Sequence, residues 1–240
     1  MQRLAGDGKE FVTANEVKLS SAVRRSSLVD EAYAAIRALI IDGSIPPGSR
    51  MTVRPISEQL GLSATPIKTA LMALAGDGVL VSKLHRGYFV PEISIDDMRE
   101  IYEMREALDR LAGRLMATSA KHAAIAAELR VNCEEQRRFL ENNDVDGYRR
   151  SDIDFHHNLW LLCGNDRLRR TGEQLMDQMR LGNSISARLP GRVAVSLREH
   201  LAIVEAIEQG DSQRAESAAS VHINSAKSTF MESVPSLVDS

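Results

Sequence analysis

"GLSATPIKTALMALAGDGVLVSKLHRGYFV", Gly61 to Val90, holds a turn, a helix and a hairpin in one short run. Gly61 breaks the preceding pattern and Ser63 stands where a helix N-cap belongs, and Pro66 is tolerated because the first helical turn has no intrahelical use for its missing N–H. Ile67, Leu71 and Leu74 then recur at helical spacing on one face. The Gly76–Gly78 pair ends the helix. Two short β-segments, Val79–Ser82 and Tyr88–Val90, follow around a polar tip of His85, Arg86 and Gly87. Upstream, a helical pattern from Val29 runs through Ala32, Ile36, Leu39 and Ile40, stops at "DGSIPPGS", and gives way to a short helix over Arg54–Leu60. Helix, helix, turn, helix and hairpin is the order of a winged helix-turn-helix, whose last helix enters the DNA major groove while the wing reaches the neighbouring backbone. The same order also describes a small protein-binding module, and pattern alone leaves both open.

Beyond the wing the chain reads as helical almost to its end. Helices are expected near 96–119, 122–142, 146–163, 166–188, 194–209 and 212–232, with Ser94 or Asp96 capping the first. No β-type alternation interrupts them. The expected fold is mainly α: an N-terminal winged helix-turn-helix followed by an all-α antiparallel bundle of six to seven helices. The boundaries expected are a flexible N-terminal arm over 1–27, the DNA-binding unit over 28–91, a linker over 92–96, the bundle over 97–232 and a disordered tail over 233–240.

Bulk properties agree with two such units. The 240 residues are 43% hydrophobic and 26% charged, with few aromatics, an ordinary balance for a soluble helical protein. No stretch reaches the roughly 18 uninterrupted apolar residues of a membrane span, and "MQRLAGDGKE" lacks a signal-peptide core, so no membrane association and a cytoplasmic location are expected. Cys133 and Cys163 lack any framework spacing and read as buried reduced thiols. The net charge of −3 conceals an asymmetry: residues 1–90 carry about +3 and residues 91–240 about −6, as if the two parts had different partners.

Chemistry concentrates in "SDIDFHHNLW", Ser151 to Trp160. Asp152 and His156 stand one helical turn apart beside the apolar face of Phe155, Leu159 and Leu162. Asp154 lies about 200° round from Asp152 and His157 about 100° from His156, so neither readily joins the same first shell. D-x-x-x-H by itself describes a surface ion pair as readily as a metal site. His200 in "REHLAIVEAI" and His222 in "AASVHINSA" lie on two further helices, and together the set offers one carboxylate and three imidazoles from three helices, suited to a divalent cation. Singly, such histidines are ordinary helix-surface or core residues. His122 at a helix start is expected to be solvated, and Trp160 and Phe155 to be core.

The stretch from "EAYAAIRALIIDGSIPPGSRMTV" to "RGYFV" resembles the DNA-binding domain of the GntR family of bacterial transcription regulators, through its PPG turn, "LGLSATPIKTAL", "DGVLV" and "RGYFV". "IYEMREALDRLAGRLMA", "DIDFHHNLW…CGN" and "EHLAIVEAIEQGD" resemble the FCD effector domain of its FadR-type subfamily, so the likeness spans roughly residues 29–232. The resemblance implies a homodimeric, one-component regulator of a metabolic operon, a repressor rather than an enzyme. It implies binding to double-stranded operator DNA through Arg54, Ser63, Thr65, Lys68 and the wing tip at His85, Arg86 and Gly87. Ala64 and Lys68 stand where the family usually has arginines, and neither can read guanine with a rigid two-pronged fork, which points to a different operator. It further implies that Asp152, His156, His200 and His222 hold a divalent metal, Zn2+ before Ni2+, Mn2+ or Fe2+. Arg105 in "EMREAL" then grips a small carboxylate effector, its fork matching that geometry. A surface ion pair of Arg105 with Glu103, Glu106 or Asp109 is the simpler alternative. Metal-bound histidines must be neutral, so affinity is expected to fall below about pH 6.5. The competing function is a metal-dependent hydrolase using Asp154 or Glu199 as base; a DNA-architectural protein whose bundle only dimerises is a third.

Overall fold

The computed structural model describes residues 19–182 and 192–233. Its N-terminal unit is built on two apolar stripes. Ala32, Ile36 and Ile40 of α1 (Leu19–Ile41) pack on Ile67, Ala70, Leu71 and Leu74 of α3 (Ala64–Gly76), and all are buried. The short α2 (Val53–Leu60) ends at Gly61, whose φ of 65° closes the helix by returning its N–H to the Ser57 carbonyl. Ser63 holds the N-cap position of α3 in extended backbone, but its side chain makes no cap hydrogen bond and stays exposed.

A three-stranded antiparallel sheet of order β1-β3-β2 completes this unit, from β1 (Arg50–Met51), β2 (Val81–Lys83) and β3 (Gly87–Phe89). Arg50 pairs with Phe89 and Ser82 with Tyr88. β1 escaped the sequence reading because two residues show no period and its partner is remote in the chain. β2 begins two residues later than expected. Val79 and Leu80 are buried and both give their N–H groups to the Leu74 carbonyl, so they still belong to the turn that closes α3.

α1 begins at Leu19, inside the stretch 1–27 expected to be an arm, and "VRRSS" within it is helical backbone. The apolar period starts only near Leu28, but a nucleated helix extends into a polar segment at small cost. Residues 1–18 and 234–240, where the arm and the tail were expected, lie outside the described residues.

α4 (Ile95–Ala117) starts from a capping box in which Ser94 Oγ accepts from Asp97 N at 3.1 Å and Asp97 Oδ2 accepts from Ser94 N at 2.9 Å. It runs along α9 (Ser212–Ser233). α5 (His122–Glu141) packs between α6 (Val145–Leu162) and α8 (Arg192–Glu208). Phe155, Leu159, Trp160, Ile203, Val204 and Ile207 anchor the main core. α7 (Asp166–Gly182) lies against α4 and α6 and also touches α1. Gly172 permits that approach: a Cβ there would stand 2.5 Å from Trp160 Cδ2. The bundle thus has six helices among the described residues, close to the expected spans. The expected extension of α7 to residue 188 falls outside them. No described helix is long and apolar enough to cross a membrane.

Candidate metal centre and DNA-facing surface

Three helices bring His156, His200 and His222 together in the bundle interior, each at most 3% exposed. His222 Nε2 lies 3.1 Å from His156 Nε2 and 3.3 Å from His200 Nε2. Each ring turns its other nitrogen outward to an oxygen. His200 Nδ1 is 2.9 Å from Gln136 Oε1 and His222 Nδ1 is 2.9 Å from Glu199 Oε2. His156 Nδ1 faces Asp109 Oδ2 at 3.4 Å, long for a hydrogen bond but with no closer partner among the described residues.

The surrounding groups fix these roles. Gln136 Nε2 donates to Asn132 Oδ1 at 2.8 Å and points at the Ser151 carbonyl at 3.3 Å, so its Oε1 must face His200 and can only accept. Asn132 is itself held by donating to the Ser151 carbonyl and hydroxyl. Glu199 also takes a bond from Arg192 Nη1 at 2.9 Å; burial opposes its charge, but the bonds from His222, Ser225 and Arg192 keep its carboxyl below the usual range. Asp109 accepts from Trp160 Nε1 at 2.6 Å, and its carboxyl too lies below the usual range: burial resists, while His156, Arg105 and Trp160 prevail. An oxygen beside each Nδ1 favours the proton there, which leaves the Nε2 lone pairs turned inward, His222 Nε2 within 3.3 Å of the other two. Burial, with the nearby Arg105 charge adding to it, holds His156 down to about 4 and outweighs the pull of Asp109. Burial and the neighbouring histidines drive His200 well below its ordinary value. The imidazoles are thus kept neutral, the form in which histidine ligates a metal. Tetrahedral nitrogens about 2.0–2.1 Å from Zn2+ stand roughly 3.3 Å apart, close to the two separations from His222 Nε2.

Asp152 lies at the rim, its side chain 33% exposed, with Oδ1 3.7 Å from His200 Nε2 and accepting from Ser196 Oγ at 3.3 Å. His157 and Asp154 point away, as their helix phase requires; His157 faces Glu173 at 3.4 Å on the surface. His122 corrects an expectation. It is half-buried, not solvated, and its Nδ1 sits 3.1 Å from the Ile207 and Glu208 carbonyls at the end of α8, a site for a donor that the chain ending of a helix leaves open.

Arg105 is buried, 5% exposed, so the ion pair it makes is an interior one with Asp109 and not one on the helix surface. Its Nε lies 3.7 Å from Asp109 Oδ2, and its guanidinium carbon is 5.9 Å from the Trp160 ring centroid. Among the described residues, Nη1 has only the Met179 thioether at 3.3 Å, and Nε and Nη2 have no hydrogen-bond partner. A buried guanidinium with free donors is costly unless something accepts them. Asp109 and Gln136 are the residues that sequence reasoning missed. Asp109 was visible only as the i+4 partner of Arg105, and nothing marked Gln136.

On the N-terminal unit, Thr65 and Lys68 are exposed on the side of α3 opposite its buried stripe, and Ser63 is exposed at its N-cap. Thr69 and Met72 share that face, legible from the same phase though not singled out. Arg54 is open to solvent and pairs with Glu58 at 2.9 Å. His85, Arg86 and Gly87 form an exposed tip, with His85 in the left-handed region at φ 58°. Arg50 and Lys83 lie exposed on the flanking strands.

Residues 28–90 match the model of the bacterial regulatory proteins of the gntR family, and residues 100–225 match the FCD domain. The chain belongs to the GntR family. It is 30% identical to the probable D-xylose utilization operon transcriptional repressor of Paenarthrobacter nicotinovorans over 85% of this chain and 89% of that protein. It is 25% identical to the transcriptional repressor RspR of Escherichia coli over 80% and 83%. Among solved structures it shares its fold with Escherichia coli McbR/YncC, with a TM-score of 0.69 and 20% identity over 85% of this chain and 98% of that one. A putative GntR regulator from Rhodococcus sp. RHA1 has a TM-score of 0.67 and 23% identity over 86% and 98%. This GntR-family protein is a DNA-binding transcription regulator with an FCD domain, not an enzyme. The hydrolase reading falls accordingly; Glu199 Oε2 is engaged by both His222 and Arg192.

Proposed function

We propose that this regulator is a cytoplasmic homodimeric repressor that leaves its operator when a small organic acid binds at a divalent metal in the bundle. His156, His200, His222 and Asp152 hold the metal, Zn2+ first and Ni2+, Mn2+ or Fe2+ as alternatives, and Arg105 receives the acid's carboxylate. Arg54, Ser63, Thr65 and Lys68 contact the operator, with the wing tip at His85, Arg86 and Gly87. The observation that carries this reading is the convergence of three Nε2 lone pairs whose Nδ1 atoms all face oxygen acceptors. Such outer partners fix the tautomer of metal-bound histidines. The metal, when bound, supplies positive charge and open coordination positions. With the histidines neutral, Asp109 and Asp152 offset part of the charge of a divalent ion and Arg105, and one positive charge remains for a carboxylate to neutralise. Repression is supported by the names of two relatives.

Metal analysis of protein purified without chelator or affinity tag tests the centre. Near one metal per chain is expected, lost for the most part in His200→Ala and His222→Ala and kept in His157→Ala. A full metal content in His200→Ala would overturn the assignment.

A further inference from the structure

α7 has two working faces. Gln174, Asp177, Gln178 and Leu181 recur at helical spacing and meet the DNA-binding unit. Asp177 receives two bonds from the Arg37 guanidinium of α1, one of them from Nε at 2.6 Å, and is only 5% exposed. Gln174 Nε2 donates to Asp77 Oδ1 at 2.9 Å, while Tyr33 of α1 donates to Asp77 Oδ2 at 2.8 Å. Asp77 is the C-cap of α3, so α7 and α1 together grip the end of the helix that faces DNA. Gln178 packs so closely on Gly78 that a Cβ there would meet its Nε2 at 2.2 Å. Leu181 packs on the same unit's core.

The opposite face belongs to the bundle and its centre. Leu175 and Met179 pack with Met98, Tyr102 and Phe230. Met179 is the sulfur facing Arg105 Nη1. Gly172 lies against the indole of Trp160, whose Nε1 holds the Asp109 carboxylate beside His156. One helix therefore touches the shell of the metal centre at one end, the acid-binding arginine near the other, and the recognition helix along its outer side.

We infer that the outer face of α7 is the surface through which the state of the metal and acid site is delivered to the DNA-binding unit, with Arg37–Asp177 and Asp77 as its grips. The inference rests on the metal and acid reading above. A thioether is a weak acceptor, and a carboxylate on Arg105 displaces it. A metal held by His156 would bear on Asp109 and Trp160, on which α7 lies at Gly172. A packed helix responds as a unit, so a shift on one face moves the groups on the other. Two bonds join Arg37 to the buried Asp177, so the pair is held together rather than free to exchange with solvent.

The test uses the full chain and Zn2+ alone. Zn2+ titrated into metal-free protein should slow amide exchange in α7 and, at Ala32–Ile40 of α1, by 5-fold or more, within the usual range of site–site coupling. In Arg37→Gln with Asp177→Asn, Zn2+ affinity and the slowing in α7 should persist while the effect on α1 falls below 2-fold. The reversed pair, Arg37→Asp with Asp177→Arg, should restore it. An equal response of α1 in the neutral pair, or none in the wild type despite bound Zn2+, would overturn the inference. Failure of Zn2+ to bind at all is seen in the titration itself; it refutes the metal reading and takes this inference with it.

Discussion

Asp109→Asn separates the metal from the scaffold that orients it. Asp109 is 1% exposed, and its two oxygens face three groups: Trp160 Nε1 at 2.6 Å, His156 Nδ1 at 3.4 Å and Arg105 Nε at 3.7 Å. All three are donors. Asparagine keeps the shape but offers one acceptor, which the shorter contact with Trp160 claims. Its NH2 then faces His156 and Arg105, donor against donor. His156 escapes by moving its proton to Nε2, into the place where a metal would bind. Loss of an outer-shell partner typically weakens metal binding 10–100-fold, or about 1.4–2.7 kcal/mol. Arg105 meanwhile keeps a buried charge without its counter-ion, and breaking such a pair costs about 3–5 kcal/mol of stability. The bundle should therefore melt well below the wild type even in chelator, where metal plays no part. Competition against a chromophoric chelator reads the first quantity and thermal melting in EDTA the second. A variant that binds Zn2+ within about threefold of wild type and melts at the same temperature would refute the tautomer argument and the charge assignment together.

Three further outcomes are expected. Lys68→Ala should weaken binding to the protein's own promoter fragment by about 1–3 kcal/mol at roughly 0.15 M salt, whereas Lys121→Ala, on the α4–α5 turn, should not; mobility shift separates them, and equal losses would remove α3 from the interface. Arg105→Ala should retain DNA binding and metal content while losing the response to acid in a panel of acetate, lactate, malonate and citrate; an unchanged response in a variant that still binds metal would remove Arg105 from the acid site. Zn2+ uptake at pH 6 should release at most about one proton per metal, against roughly two for three ordinary histidines: His156, held to about 4, and His200, held well below its ordinary value, are already neutral there. Calorimetry in buffers of different ionisation enthalpy measures this, and release of two or more would show that burial does not set their protonation.

That last expectation revises one drawn from the sequence. Unperturbed histidines place the loss of metal below about pH 6.5, but a buried imidazole sheds its proton earlier on the way up, so affinity is expected to persist to lower pH. The residue types and their helix phase were legible: a four-residue spacing put Asp152 beside His156, and a one-residue offset sent His157 to the surface. So were the wing and the helix that precedes it, because Gly61, Pro66 and the Gly76–Gly78 pair each constrain the backbone locally. β1 was not, since its only signature is a pairing with β3 across some forty residues of chain.

What the sequence hides is whatever depends on orientation rather than identity. Gln136 is one more polar residue on an amphipathic helix until Asn132 and Ser151 fix which end of its amide meets His200. Asp109 looks like the i+4 partner of a surface arginine, and it becomes central only because Trp160, His156 and Arg105 arrive from three directions. The same holds for α7. Its amphipathic pattern reveals an inner stripe and a polar outer one, and a polar stripe ordinarily means solvent. Here Gln174, Asp177 and Gln178 face a second folded unit, and the residues they meet, Asp77, Arg37 and Gly78, lie about a hundred residues or more earlier in the chain. Local periodicity reports which face of a helix is apolar. It cannot report that a polar face is spoken for, and in this regulator the polar face of α7 is where the two units meet.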